Sequence, residues 1–171
     1  MKRLLLIILP LLLIVGCSKP VNEETLIEKG GLKYHPDTKE LYSGKVFENY
    51  MGGKTDFEGS YKDGIKDGKW IHSTDIGNGK YEVKYTKGNI DLATFTDNLG
   101  QTYSGIPVNE EPKADGQYLS QKHEYNFSKY PEIFATIKNG KEDGLGVGWY
   151  ENGQKMFEGT FKDGQEDGLA T

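Results

Sequence analysis

Phe57-Glu58-Gly59-Ser60-Tyr61-Lys62-Asp63-Gly64-Ile65-Lys66-Asp67-Gly68-Lys69-Trp70 returns 100 residues later as Phe157-Glu158-Gly159-Thr160-Phe161-Lys162-Asp163-Gly164-Gln165-Glu166-Asp167-Gly168. A fixed internal period decides architecture before any local reading does. Lys138-Asn139-Gly140-Lys141-Glu142-Asp143-Gly144-Leu145 aligns with Lys162 to Leu169 at an offset of 24, and Tyr61, Gly64 and Asp67 map onto Tyr85, Gly88 and Asp91 at the same offset. Each unit holds an aromatic segment, an Asp-Gly or Asn-Gly corner, and a second segment carrying Trp70 or Trp149. Asp-Gly between β-compatible runs signals a hairpin, because the tight turn needs positive φ and glycine supplies it without steric cost. One hairpin cannot bury its apolar face alone, so neighbouring units must stack. The expected core is therefore Phe57, Tyr61, Trp70, Tyr85, Trp149, Phe157 and Phe161. The expected repeat turns are Asp63-Gly64, Asp67-Gly68, Asp143-Gly144, Asp163-Gly164 and Asp167-Gly168.

The run Glu58-Gly59-Ser60-Tyr61-Lys62-Asp63-Gly64, followed by Asp67-Gly68-Lys69-Trp70, together with Asn152-Gly153-Gln154-Lys155, resembles MORN repeats. More narrowly, it is similar to the bacterial YwqK-like family described as antitoxin components. Gly31-Leu32-Lys33-Tyr34 and Leu41-Tyr42-Ser43-Gly44-Lys45-Val46 resemble that family's entry into its first repeat. The resemblance covers roughly residues 31–91 and 133–169, and the middle of the chain departs from it. It implies an all-β fold of tandem β-hairpin (MORN-like) repeats forming an elongated antiparallel meander sheet, preceded by a signal helix. It also implies a protein partner, in the sharper variant a toxin. Repeat motifs specify fold far better than activity.

Residues 1–16 read as a lipoprotein signal peptide. Lys2 and Arg3 form a positive start, Leu4 to Val15 is an apolar run broken by Pro10, and Ile14-Val15-Gly16-Cys17 resembles a bacterial lipobox. Cys17 is the only cysteine, and acylation explains an unpaired thiol in an exported chain. This reading places the protein at the cell envelope on a lipid anchor. Ser18 after the cysteine favours the outer membrane, facing the periplasm or the surface, where a cell has two membranes. Removal of the leader takes two of the 21 basic residues and none of the 26 acidic ones. An acidic mature chain disfavours nucleic acid as a partner. It also argues against adhesion to anionic lipid, leaving the lipid anchor to hold the protein at the membrane.

Residues 17–30 read as a lipidated tether in which Val21 to Lys29 form about two helical turns before Gly30-Gly31. Residues 31–100 hold the first set of repeats. Strands are expected over Tyr42 to Tyr50, Asp56 to Lys62, Lys69 to Thr74, Tyr81 to Tyr85 and Ile90 to Thr96, with turns at Met51-Gly52-Gly53, Gly77-Asn78-Gly79 and Lys87-Gly88-Asn89. Residues 101–132 lose the period. Ile106 to Gly116 reads as an inserted loop punctuated by Pro107 and Pro112, and Tyr118 to Tyr130 as a decayed unit or a short helix. Regular units resume over 133–171, and the last hairpin presents an edge that needs cover or a partner.

Little in the sequence speaks for catalysis. His35, His72 and His123 are far apart and lack metal-ligand spacing, so no metal site and no cofactor are expected. No nucleophile elbow, phosphate loop or dinucleotide fingerprint is present. Asp63 and Asp67, Glu142 and Asp143, and Asp163 and Asp167 are the one group that a glycosidase or a calcium site could use. Turn chemistry accounts for all of them together. The expected protein is a non-enzymatic, lipid-anchored repeat protein that binds a protein partner or acts as a scaffold. An antitoxin or immunity protein acting by charge complementarity is the alternative. A carbohydrate-active enzyme or glycan binder ranks below it. Oligomeric state is left open.

Overall fold

The computed structural model describes residues 19–74, 78–108, 114–120, 127 and 129–168. The expected signal helix and Cys17 lie outside them. The fold is all-β, and the helical piece among the described residues is a 3₁₀ turn at Glu23–Thr25. The first strands are β1 (Val21–Asn22), β2 (Ile27–Lys29), β3 (Leu32–Tyr34), β4 (Gly44–Asn49), β5 (Thr55–Lys62), β6 (Ile65–Lys66) and β7 (Gly68–Ser73). They are followed by β8 (Lys80–Thr86), β9 (Asn89–Thr96), β10 (Thr102–Val108) and β11 (Gly116–Ser120). The last are β12 (Ile133–Lys138), β13 (Lys141–Trp149), β14 (Lys155–Lys162) and β15 (Gln165–Glu166). Strands β2 and β3 form a separate hairpin, and the other 13 join in one large mixed sheet.

The strands follow one another across the sheet as the hairpin signals require, but the sheet is not wholly antiparallel. Strand β1 lies parallel to β4, with Val21 opposite Val46, and β10 lies parallel to β11, with Ile106 opposite Tyr118. The two helical turns expected over Val21 to Lys29 reduce to the single 3₁₀ turn. Val21 takes a place at the sheet edge, Asn22 caps the turn through Glu24 N–H at 3.0 Å, and Leu26 is buried. Leu26 joins the core on which Val21 packs, and the backbone is extended at both Asn22 and Leu26, so no continuous helix runs through the segment. Nor is Ile106 to Gly116 simply a loop. Ile106 to Val108 finish β10, and Gly116 begins β11. Gly105 makes this parallel pairing close, since a Cβ there would stand 2.9 Å from the Gln117 backbone.

The sheet is also curled rather than elongated and flat. Trp149 on β13 meets Phe95 on β9 at 5.4 Å and Tyr103 on β10 at 4.9 Å between ring centroids. Four strand spacings in a flat sheet would span roughly 19 Å. The inner face therefore closes on itself. Residues 127 and 130 fill the hollow: Phe127 packs on His72 and Tyr81, both at 5.1 Å, and Tyr130 packs on Phe95 at 5.3 Å. Trp70, Tyr81, Val83, Ala93, Phe95, Leu119 and Val147 are fully buried in this core.

Register carries one unexpected consequence. Phe57 pairs with His72, His72 with Tyr81, Tyr81 with Phe95 and Phe95 with Tyr103, so these residues share the inner face. The same face continues through Pro107, Leu119, Phe134 and Val147. Gly146 and Gly148, neighbours of Val147, therefore belong to the outer face, and they pair with Gly159 and Phe157. Successive residues of a strand point to opposite sides. Phe157 and Phe161, expected in the shared core, lie half-buried on the outer face instead.

Candidate functional site

The repeat turns form a ladder along one end of the sheet. Asp63-Gly64, Lys87-Gly88, Asn139-Gly140 and Asp163-Gly164 all close two-residue hairpins in which both central residues have positive φ. That is the requirement of a type I′ turn, and it explains the glycine at each second position. Each turn is clipped to residues that lie about one unit earlier. Gly64 N–H donates to Tyr42 C=O at 2.8 Å and Asp63 N–H to Ser43 Oγ at 2.8 Å. Gly88 N–H donates to Lys66 C=O at 2.9 Å and Lys87 N–H to Asp67 Oδ1 at 3.3 Å. Gly164 N–H donates to Glu142 C=O at 2.8 Å, and Asp163 N–H donates to the Asp143 carboxylate.

The second Asp-Gly of each unit is thus not a turn. Asp143-Gly144 lies inside β13, where the pairing with β12 shifts register, and Asp67-Gly68 sits at the step from β6 to β7. Asp67 N–H donates to Ser60 C=O at 3.0 Å and Asp167 N–H to Thr160 C=O at 2.7 Å, so both copies make the same bulge. At this bulge Asp67 and Asp143 serve as acceptors for the next turn. The Lys162 ammonium, 2.7 Å from Asp143, is the main cause that lowers the pKa of that carboxylate. The carboxylates that could have served acid–base or calcium chemistry are strung along this ladder. Among the described residues, no three His, Cys, Asp or Glu side chains converge on a metal position.

A residue that sequence reading missed supports the ladder through the irregular middle. Asn139 N–H donates to Asp115 Oδ1 at 2.7 Å, so Asp115-Gly116 occupies a corner in the stretch assigned to insertion or decay. Its signal was available, because Asp115-Gly116 stands one 24-residue unit before Asn139-Gly140.

The second cluster lies on the inner face. Tyr61, Trp70, Tyr85 and Trp149 are buried as expected, and Phe57 is half-buried against Trp70 at 5.4 Å. The Lys66 ammonium stands 4.3 Å from the Trp70 ring centre, 5.4 Å from Tyr85 and 5.9 Å from Phe57. The rings attract the cation through their quadrupoles, while burial lowers its pKa. Tyr61 donates to Glu23 at 2.8 Å, and Lys33 bridges Glu23 and Glu28, which ties the N-terminal segment to this end of the sheet. Burial, with the nearby Lys66 charge second, brings His72 down to about 3, so its imidazole is neutral at ordinary pH. Among the described residues its Nε2 has no hydrogen-bond partner, as is also true of Trp149 Nε1. Single-sequence reading reached the aromatics through their period. Strand alternation also puts His72, two residues beyond Trp70, on the same face, whereas nothing local could place Lys66, because its neighbours come from different strands.

The outer face bears a shallow depression of about 430 Å³ lined by Pro20, Lys45, Phe47, Glu58, Lys69 and Ile71. No helix among the described residues is long and apolar enough to cross a membrane. No family model matches the chain, and no match to a curated protein or to a solved structure was found.

Proposed function

We propose that this chain is a non-enzymatic, MORN-like repeat protein, anchored at the cell envelope through a lipid on Cys17, that binds a protein partner or serves as a scaffold. The observation that carries this reading is the ladder. Asp67 and Asp143, two of the carboxylates suited by type to catalysis, are spent as acceptors that hold one hairpin turn to the next. Such an arrangement suits a rigid display surface, since repeats stacked through identical contacts present a fixed array of side chains. The lipid anchor is supported by the lipobox-like Ile14-Val15-Gly16-Cys17 and the single cysteine.

A second reading, an antitoxin or immunity protein, is favoured by the exposed acids Asp163, Glu166 and Asp167 at the last turn. They offer a negative surface to a basic groove on a partner. Both readings are tested by capturing the full-length, C-terminally tagged chain from cross-linked native cells and identifying bait and partners by mass spectrometry. A diacylated Cys17 peptide with one stoichiometric protein partner is the expected result, and a basic toxin in that place favours the second reading. An unmodified bait without a partner overturns both.

A further inference from the structure

We propose that the outer face of β4, β5, β7 and β8 lies against the anionic lipid surface that carries the anchor, so that the sheet is held at a set orientation. The proposal rests on the reading of Cys17 as the acylated residue. Only Ser18, Lys19 and Pro20 separate Cys17 from β1. Four residues of fully extended chain reach about 14 Å at most. Val21 cannot swing away from the sheet, because it pairs with Val46 and packs against the core, and Leu26 behind it is buried. The expected tether over 17–30 thus shrinks to a few residues, and the N-terminal edge of the sheet must stand at the membrane.

The place where the chain arrives selects the face. Pro20 borders the outer depression beside Lys45, Phe47, Lys69 and Ile71, whereas Trp70, His72 and Tyr81 occupy the inner side of the same strands. Strand alternation puts Lys45, Lys62, Lys69, Lys80 and Lys84 on the outer side, all exposed, against Asp56, Glu58, Glu82 and Asp91; Lys69 pairs with Glu82 and Lys84 with Asp91, which leaves Lys45, Lys62 and Lys80 to give the face its positive excess. This face is basic on a chain whose formal charge is −5. Acids Asp163, Glu166 and Asp167 belong to the opposite edge of the strand order, away from β1. Lysines within a Debye length of anionic headgroups, about 8–10 Å, gain from the surface potential. The lipid supplies attachment, and the lysine face supplies direction.

The test is a lysine footprint with a singly negative acetylating ester, read by mass spectrometry on vesicles of phosphatidylcholine and phosphatidylglycerol. Two preparations are compared with the protein free in solution. One is the chain as the cell processes it. The other is the chain from Cys17 onward, coupled through that thiol to a maleimide lipid. Reactivity at Lys45, Lys69 and Lys84 is expected to fall about threefold, the depletion that a surface potential near −30 mV imposes on such a reagent. Lys138, Lys141 and Lys162 are expected to keep their reactivity. A uniform fall, or protection centred on the latter three, overturns the proposal. The K45E/K69E/K84E variant is expected to remain on vesicles while Lys62 and Lys80 lose their protection, and retained protection there also counts against the proposal. The mass of the N-terminal peptide from cells reports acylation separately, and the maleimide-coupled chain decides the face whether or not the cell acylates Cys17.

Discussion

Residues 44–68 and 144–168 share a backbone and part company in their side chains. In the first copy Gly44 pairs with Tyr61, Val46 with Gly59 and Glu48 with Phe57. In the second, Gly144 pairs with Phe161, Gly146 with Gly159 and Gly148 with Phe157. Both pairings shift register at the same place, after Glu48 and after Gly148. Tyr50 N–H reaches Lys54 C=O at 2.8 Å, and Tyr150 N–H reaches Gln154 C=O at 2.9 Å, so even the loops repeat. Yet Trp70 lies fully buried over Gly59, where a Cβ would meet its ring at 2.1 Å, while Phe161 lies half-buried over Gly146 on the outer face. Local sequence makes the hairpin, and the rest of the sheet decides which of its faces becomes core. The glycines of the second copy follow from this. Phe157 and Phe161 have no opposing layer from the curl, so they lie down across Gly148 and Gly146.

The largest test of the contrast is truncation of the aromatic anchor in each copy. Trp70→Ala is expected to cost about 3–5 kcal/mol in urea unfolding, as complete loss of a buried large ring does. Phe157→Ala is expected to cost about 1–2 kcal/mol, because less of the ring is removed from water. Equal losses would mean that the outer-face ring is as deeply packed as Trp70.

Acid is expected to act on the first copy through a buried imidazole that the second copy lacks. His72 in the folded protein titrates at about 3, below its unfolded value of 6.5. The unfolded chain therefore takes up the proton first, and stability present above about pH 6.5 is lost as the pH falls towards 3. His72→Phe is expected to remove that part of the slope, a few kcal/mol at most, and the difference between variant and parent isolates it from the carboxylates. Identical pH profiles for the two proteins would place His72 in a more hydrated site.

Smaller effects come from the glycines. Gly59→Ala drives a methyl into Trp70, and Gly146→Val restores the residue of the first copy but meets the Phe161 ring at 2.7 Å. Overpacking of this kind costs about 1–3 kcal/mol, with the lower end expected for Gly146, where Phe161 can swing outward. A stabilised Gly146→Val protein would show that the outer ring is not seated as described. The smallest effect is expected for Asp67→Ala, which removes the acceptor for Lys87 N–H. It should lower stability by about 0.5–1 kcal/mol, the net worth of one hydrogen bond. Faster amide exchange at Lys87 without change elsewhere would confirm that the ladder is clipped turn by turn.

Much of the candidate site was legible in advance, for identifiable reasons. Asp63-Gly64 and Asp163-Gly164 were readable as hairpin turns because positive φ at two successive residues is a local demand. Asp143-Gly144 was misread as a corner because Asp-Gly serves a bulge equally well, and only the pairing partner across the ladder distinguishes the two. Asp115 was passed over because the prolines nearby hid its place in the period.

The period, the all-β class, the hairpin turns and the aromatic make-up of the core were determined by the sequence itself, since each follows from short-range geometry or from composition. The parallel step at β10 and β11, the curl that brings Trp149 to Phe95, and the exchange of faces between Phe57 and Phe157 were decided by the tertiary structure. They depend on which strands lie side by side beyond β9. Strand alternation assigns a residue to one of two faces, but only contact with another part of the chain makes one of those faces the inside.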